Sequence, residues 1–225
     1  APITELLLAP LQDEHGVQGW FAAARQRDGS RFRTAELSLL STVVALVAMQ
    51  VTNAALYELQ WRQSLAFVQS LARIIDVKDH SARGHSDRVA ALGRELAVRL
   101  RLSTSQQEIV HLAGILHDIG KVGVDDAILK KPGRLTDSEF VQVKQHPVIG
   151  WEILSDLQGF AAILPAVRHH HERFDGQGYP DGLAGQRIPR MARIIAVADA
   201  YDAMRNARPY RPGLTVERIT EILRA

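Results

Sequence analysis

Between Thr34 and Gly84 the chain contains neither proline nor glycine. Those two residues are the usual punctuation of regular structure, so their absence permits one helix of about 45 residues. Thr34 is placed to cap it, and Glu36 in the first turn complements the helix dipole. Leu37, Leu40, Val44, Val47 and Val51 recur in steps of three and four, a heptad-like seam. Beyond Val51 the pattern loosens, although Leu59, Leu65, Val68 and Leu71 keep it apolar. Such a helix is hard to bury in one small domain. It reads as a dimerising helix that joins two modules, the alternative being two ordinary helices with a break between them. The apolar stretch from Leu37 to Val51 is short of the ~20 residues of a bilayer span and is interrupted by Ser and Thr, so no membrane span is expected.

The flanks differ in kind. Before Thr34, the apolar runs Leu6–Leu11 and Val17–Ala24 flank the turn signal Asp13-Glu14-His15-Gly16, the pattern of a β-hairpin. After Gly84 the periods are helical. Val89, Leu92, Leu96 and Leu100 form one stripe. Ser103 with Gln106 and Thr136 with Glu139 fit capping boxes, and residues 191–206 read as a further helix. Residues 79–225 are therefore expected to be all-α, and the whole chain mainly α. With 225 residues, the length allows one domain and a remainder. Hydrophobic residues at 46% and charged residues at 23% exclude a disordered or collagen-like chain. A net charge of +2 is a weak electrostatic footprint for nucleic acid, so no double-stranded nucleic acid partner is expected. No signal peptide is visible, and the chain is expected to be cytoplasmic.

Nine histidines accompany no cysteine. Thiolate metal sites and Cys nucleophiles are therefore excluded, and imidazole with carboxylate remains. The residues that carry chemistry are His85, the pair His117-Asp118, His146, the pair His170-His171, and Asp199. All fall at the ends of expected helices or beside loops, except Asp199, which lies within the apolar run Ile194–Ala200. A buried carboxylate in that setting needs a partner, because an unpaired buried charge is expensive. A divalent cation supplies one. Six or seven such ligands exceed one tetrahedral site and fit two octahedral metals sharing a carboxylate, an arrangement suited to phosphoester hydrolysis. Each residue also has a structural reading. His85 could start a helix, His146 could cap one, Asp118 could end one, and Asp199 could pair with an arginine. Those readings must hold independently at every position.

These residues stand within a dense set of motifs: Arg83-Gly84-His85-Ser86-Asp87-Arg88-Val89; His117-Asp118-Ile119-Gly120-Lys121; Lys131-Pro132-Gly133; His146-Pro147; His169-His170-His171-Glu172 running to Asp175-Gly176-Gln177-Gly178-Tyr179-Pro180-Asp181-Gly182; Ala198-Asp199-Ala200-Tyr201-Asp202; and Arg208-Pro209-Tyr210-Arg211. Over residues 64–225 the chain resembles the HD-GYP phosphodiesterases of bacteria, a branch of the HD phosphohydrolases. The resemblance implies an all-helical metal-dependent hydrolase of cyclic di-GMP, yielding linear pGpG and onward GMP. It implies two divalent ions, iron or manganese. His117, Asp118 and Asp199 would hold one ion, Asp118 would bridge to a second held by His146, His170 and His171, and His85 would be a further ligand. Asp118 and Lys121 would serve catalysis. Lys121, Gly178, Tyr179, Pro180, Arg208 and Arg211 would meet the substrate. Three-metal members carry a Glu four positions before the first motif His. Here that position is Ser81, which favours two ions, and His80-Ser81-Ala82 replaces the usual Pro-Tyr-Thr.

The N-terminal segment resembles the C-terminal part of a GAF domain, through Leu7-Leu8-Ala9-Pro10-Leu11, Gly16-Val17-Gln18-Gly19 and Phe32 before Ala35-Glu36-Leu37. The expected organisation is a partial GAF-like domain over 1–55, a helical linker over 56–78, and an HD-GYP domain over 79–225, cut short at its C-terminus. The rival functions are an HD phosphohydrolase for another nucleotide, a metal-holding module that binds cyclic di-GMP without turnover, and a scaffold in which the helix alone matters.

Overall fold

The computed structural model describes residues 3, 5–13, 16–25, 31–78, 84–206 and 213–224. It forms two compact units that divide between Ser64 and Leu65.

In the first unit, β1 (Glu5–Asp13) and β2 (Gly16–Arg25) form the expected antiparallel hairpin, with Ala9 opposite Phe21 and a register shift after Leu11. Side chains alternate across it. Leu7, Ala9, Leu11, Phe21 and Ala23 are half-buried, while Leu6, Leu8 and Trp20 are exposed. Helix α1 (Thr34–Lys78) follows as one continuous helix of 45 residues, which removes the two-helix alternative. Thr34 is its first helical residue rather than its cap. Glu36 takes the capping role, accepting the Arg33 N–H at 2.7 Å and pairing with Arg25 at 2.9 Å. The Phe32 N–H donates to Glu5 at 2.6 Å, so the start of the helix is tied to both strands at the open end of the hairpin. From Leu37 to Val51 the helix is apolar on several faces, and Leu39, Leu46 and Met49 are at least half exposed. Over Thr34–Asp76 it has the length and composition to cross a bilayer.

In the second unit α1 changes character, and Val68, Ala72, Ile75 and Asp76 are buried. Helix α2 (His85–Arg99) starts after Gly84, which adopts the left-handed conformation (φ 68°). Helix α3 (Thr104–Leu116) opens on the Ser103–Gln106 capping box, and a 3-10 turn covers Ile119–Gly123. Next come α4 (Asp126–Leu129) and α5 (Asp137–Val143), the latter opening on the Thr136–Glu139 box. Helices α6 (His146–Ser155) and α7 (Leu164–His169) each carry proline in the first turn, where a missing N–H costs nothing. A loop and a 3-10 turn (Gly185–Arg187) lead to α8 (Arg190–Arg205) and then α9 (Val216–Arg224). All described regular structure from residue 65 onward is helical, as expected. Val89 and Ala90 of α2, Val110 and Leu116 of α3, Val167 of α7 and Ile195 of α8 are fully buried where these helices pack. Each such aliphatic side chain larger than alanine contributes about 1.5–3 kcal/mol. This core brings the helix ends that carry His85, His117 and His170 to one place, beside Asp199.

Candidate metal centre

Three of the histidines are held in the same way. The His117 Nδ1–H donates to Gly114 O (2.8 Å), that of His146 to Val143 O (2.7 Å), and that of His170 to Val167 O (2.7 Å). A carbonyl can only accept, so Nδ1 carries the proton and Nε2 faces the centre. Two groups of ligand atoms result. His85, His117 and Asp199 form one, and Asp118, His146, His170 and His171 the other. Asp118 stands at their junction. Its Oδ1 lies 3.2 Å from His146 Nε2, and its Oδ2 lies 3.5 Å from His117 Nε2 and 4.0 Å from His85 Nε2. All seven predicted ligands are thus brought together.

The donor set fits divalent metal on two observations. His117 Nε2 is buried and makes no hydrogen bond. The Nε2 atoms of His146 and His170 face each other at 3.2 Å, although both rings already use Nδ1 as donor. Lone pairs converging on one another and on a carboxylate form an arrangement that a cation resolves.

The electrostatics agree at Asp118, His170 and His171. Burial opposes ionisation of Asp118, but Lys121, His117 and His146 outweigh it and hold the carboxyl well below its ordinary range. Burial, reinforced by the neighbouring imidazoles, holds His170 well below the usual histidine range and His171 at about 4, so both rings are neutral and able to ligate. His85 is different. Burial works against its charged form, yet hydrogen bonds to Asp199 and Asp202 lift it to about 9.

Several supporting residues were not singled out in the sequence. Asp202 accepts from His85 Nδ1 (2.7 Å) and is gripped by Arg88 Nε (2.7 Å) and Nη2 (3.0 Å). The Asp199/Asp202 spacing, one helical turn, is the signal that could have found it. Asp76, at the buried end of α1, accepts both the backbone N–H (3.2 Å) and the hydroxyl (2.7 Å) of Ser86, next to His85. Glu172 is buried and accepts the N–H groups of Asp181 (2.8 Å) and Leu183 (2.9 Å), which pins the loop after His171.

Among the expected substrate residues, Lys121 Nζ donates to Asp118 Oδ2 at 2.6 Å. The Tyr179 ring lies 4.8 Å from the His171 ring, tilted 30°, and its N–H donates to His171 O; the Tyr179–Pro180 bond is cis. Gly178 lies against backbone: a Cβ there would come within 2.3 Å of Arg173 N. Arg208 and Arg211, like His80, Ser81 and Ala82, lie outside the described residues. Asp199 pairs with His85 at 3.2 Å.

The structure is thus a helical domain whose helix-end histidines gather around Asp118 as a candidate metal centre. Residues 69–225 match the family described as "HD domain", and the chain belongs to that family. It is 45% identical over 150 residues to the cyclic di-GMP phosphodiesterase response regulator RpfG of Xanthomonas campestris pv. campestris, covering 65% of this chain and 39% of that protein. It is 36% identical over 160 residues to 3'3'-cGAMP-specific phosphodiesterase 1 of Vibrio cholerae, covering 71% and 37%. The chain therefore spans about two-fifths of the length of these relatives. In fold it is similar to the crystal structure of a cyclic GMP-AMP-specific phosphodiesterase of V. cholerae (V-cGAP3), with a TM-score of 0.53 at 16% identity, covering 71% and 43%.

Proposed function

We propose that the chain is a metal-dependent phosphodiesterase that opens cyclic di-GMP to linear pGpG and onward to GMP. The observation that carries this reading is the pair of ligand groups meeting at Asp118. Two divalent ions, iron or manganese, suit these imidazole and carboxylate donors. Bound there, they would polarise a phosphate and lower the pKa of a water. His85, His117 and Asp199 would hold one ion, and His146, His170 and His171 the other, with Asp118 common to both. Lys121, beside Asp118, offsets charge on the phosphate oxygens. Tyr179 offers its face to a guanine. Arg208 and Arg211 are assigned to the phosphate or the base by the family resemblance. The likeness to a 3'3'-cGAMP-specific enzyme supplies the second reading, in which the preferred substrate is the mixed dinucleotide. Purified chain should contain about two iron or manganese ions and convert cyclic di-GMP, resolved from 3'3'-cGAMP by chromatography of the products. Metal-loaded protein that binds cyclic di-GMP without turnover would reduce it to a binding module.

Glu172→Gln tests the loop. Glutamine keeps one acceptor oxygen but turns an amide NH₂ towards the other N–H donor. KM for cyclic di-GMP should rise about tenfold, the cost of about one such hydrogen bond, with metal content unchanged. Loss of metal instead would give Glu172 a role in building the centre rather than the loop.

We further propose a cytoplasmic homodimer joined along the seam of α1, where Leu37, Val47 and Val51 remain more than a third exposed. Sedimentation equilibrium should give a soluble dimer, and Val47→Glu should make it monomeric. Recovery of the wild-type chain with membranes would overturn this and make α1 a span.

A further inference from the structure

Lys144 follows α5, and its backbone N–H donates to Phe140 O at 3.0 Å. Its ammonium lies over two aromatic rings, 4.8 Å from the centroid of Phe140 and 5.4 Å from that of Tyr179. It makes no ion pair among the described residues, and the side chain is half-buried. A lysine free in solvent would sample many rotamers. This one is held by the ring faces. Tyr179 in turn lies against His171, so Lys144 is one ring away from the metal ligands.

The substrate chemistry requires a cation in such a place. A cyclic dinucleotide carries two phosphodiesters on one macrocycle, each with one negative charge. The metal centre and Lys121 serve the one being cleaved, and Lys121 is already engaged with Asp118. The other phosphodiester carries its own charge, and among the described residues Lys144 is a cation beside Tyr179. We propose that Lys144 pairs with that second, non-scissile phosphodiester. This rests on the cyclic dinucleotide reading above and adds the residue that distinguishes two linked phosphates from one.

The test uses the metal-loaded full chain and three probes. Cyclic di-GMP has two phosphodiesters. GpG has two guanines and one phosphodiester, and bis(p-nitrophenyl) phosphate has one phosphodiester and no base. Lys144→Met keeps the stem and removes the charge. It should raise KM for cyclic di-GMP about tenfold and flatten the dependence of KM on ionic strength, as loss of one charge-assisted contact requires. kcat, metal content, inhibition by GpG and hydrolysis of bis(p-nitrophenyl) phosphate should be unchanged. Lys144→Arg should bring KM back to within about threefold, since charge is retained but geometry differs. An unchanged KM in Lys144→Met overturns this assignment alone. Equal weakening of GpG inhibition overturns it in favour of a base contact. Wild-type protein that cleaves bis(p-nitrophenyl) phosphate but not cyclic di-GMP overturns the substrate reading and this inference together.

Discussion

His117→Ala and Asp118→Ala proteins should keep the helical fold and lose both bound metal and phosphodiester hydrolysis. His117 has no hydrogen bond at Nε2 to lose, and its Nδ1 bond to Gly114 O is local to one turn. Its removal therefore acts on the ligand set more than on the core. Asp118 contributes to both ligand groups, so its loss should empty both. Removing even an outer partner of a metal ligand costs about 10–100-fold, and a shared ligand should exceed that. His171→Ala is the informative contrast. It removes one ligand from the second group only, and protein retaining about one ion per chain is expected, with hydrolysis down about a hundredfold or more. Elemental analysis, product chromatography and circular dichroism of the same samples read all three properties. Hydrolysis persisting in metal-free Asp118→Ala protein would refute the mechanism.

Gly120→Ala should be as damaging without touching any ligand. A Cβ at Gly120 would lie 1.9 Å from His146 O and 2.5 Å from Gly150 N, both backbone atoms of α6. No side chain can turn away to make room, so α6 itself must shift. His146 is the first residue of α6, and its Nε2 lies 3.2 Å from Asp118. The shift therefore pulls the second ligand group apart. Overpacking of this kind costs about 1–3 kcal/mol or more, which in a chain this size lowers Tm by at least about 2–4 °C. Loss of about one ion per chain and of most activity should accompany it. Gly123→Ala, in the same 3-10 turn, is the control. Its nearest obstacle is the flexible end of Ile149 at 3.0 Å, and it should retain both metal and activity. A Gly120→Ala protein with full metal content would show that α6 can move without disturbing His146.

The helix boundaries were legible because they rest on local chemistry. Ser103, Thr136 and Pro147 mark their helix starts whatever surrounds them. The candidate ligands could be picked out because histidine and aspartate have few other reasons to occur together so often, and because the motif spacing is dense. The residues behind the ligands were not. Asp202 meets His85 across 117 positions of chain, and the link of Asp76 to Ser86 crosses from one helix to the next. Glu172 and Lys144 look like ordinary charged residues in sequence. Their roles come from the loop that folds back over one and from the rings beneath the other. The long helix was visible from its missing prolines and glycines. Its buried end was not, because the same apolar composition runs along both halves.

The anchors of the imidazoles differ in how they can be lost. His117, His146 and His170 are oriented by main-chain oxygens, which no single substitution can delete. Neighbouring side chains can therefore diverge freely while those three rings keep their aim. His85 is anchored by the side chain of Asp202, and one change of codon removes it. Mutational robustness is thus uneven across the centre. The orientations of His117, His146 and His170 are buffered against drift, while His85 has an anchor that evolution, or an engineer, can adjust on its own.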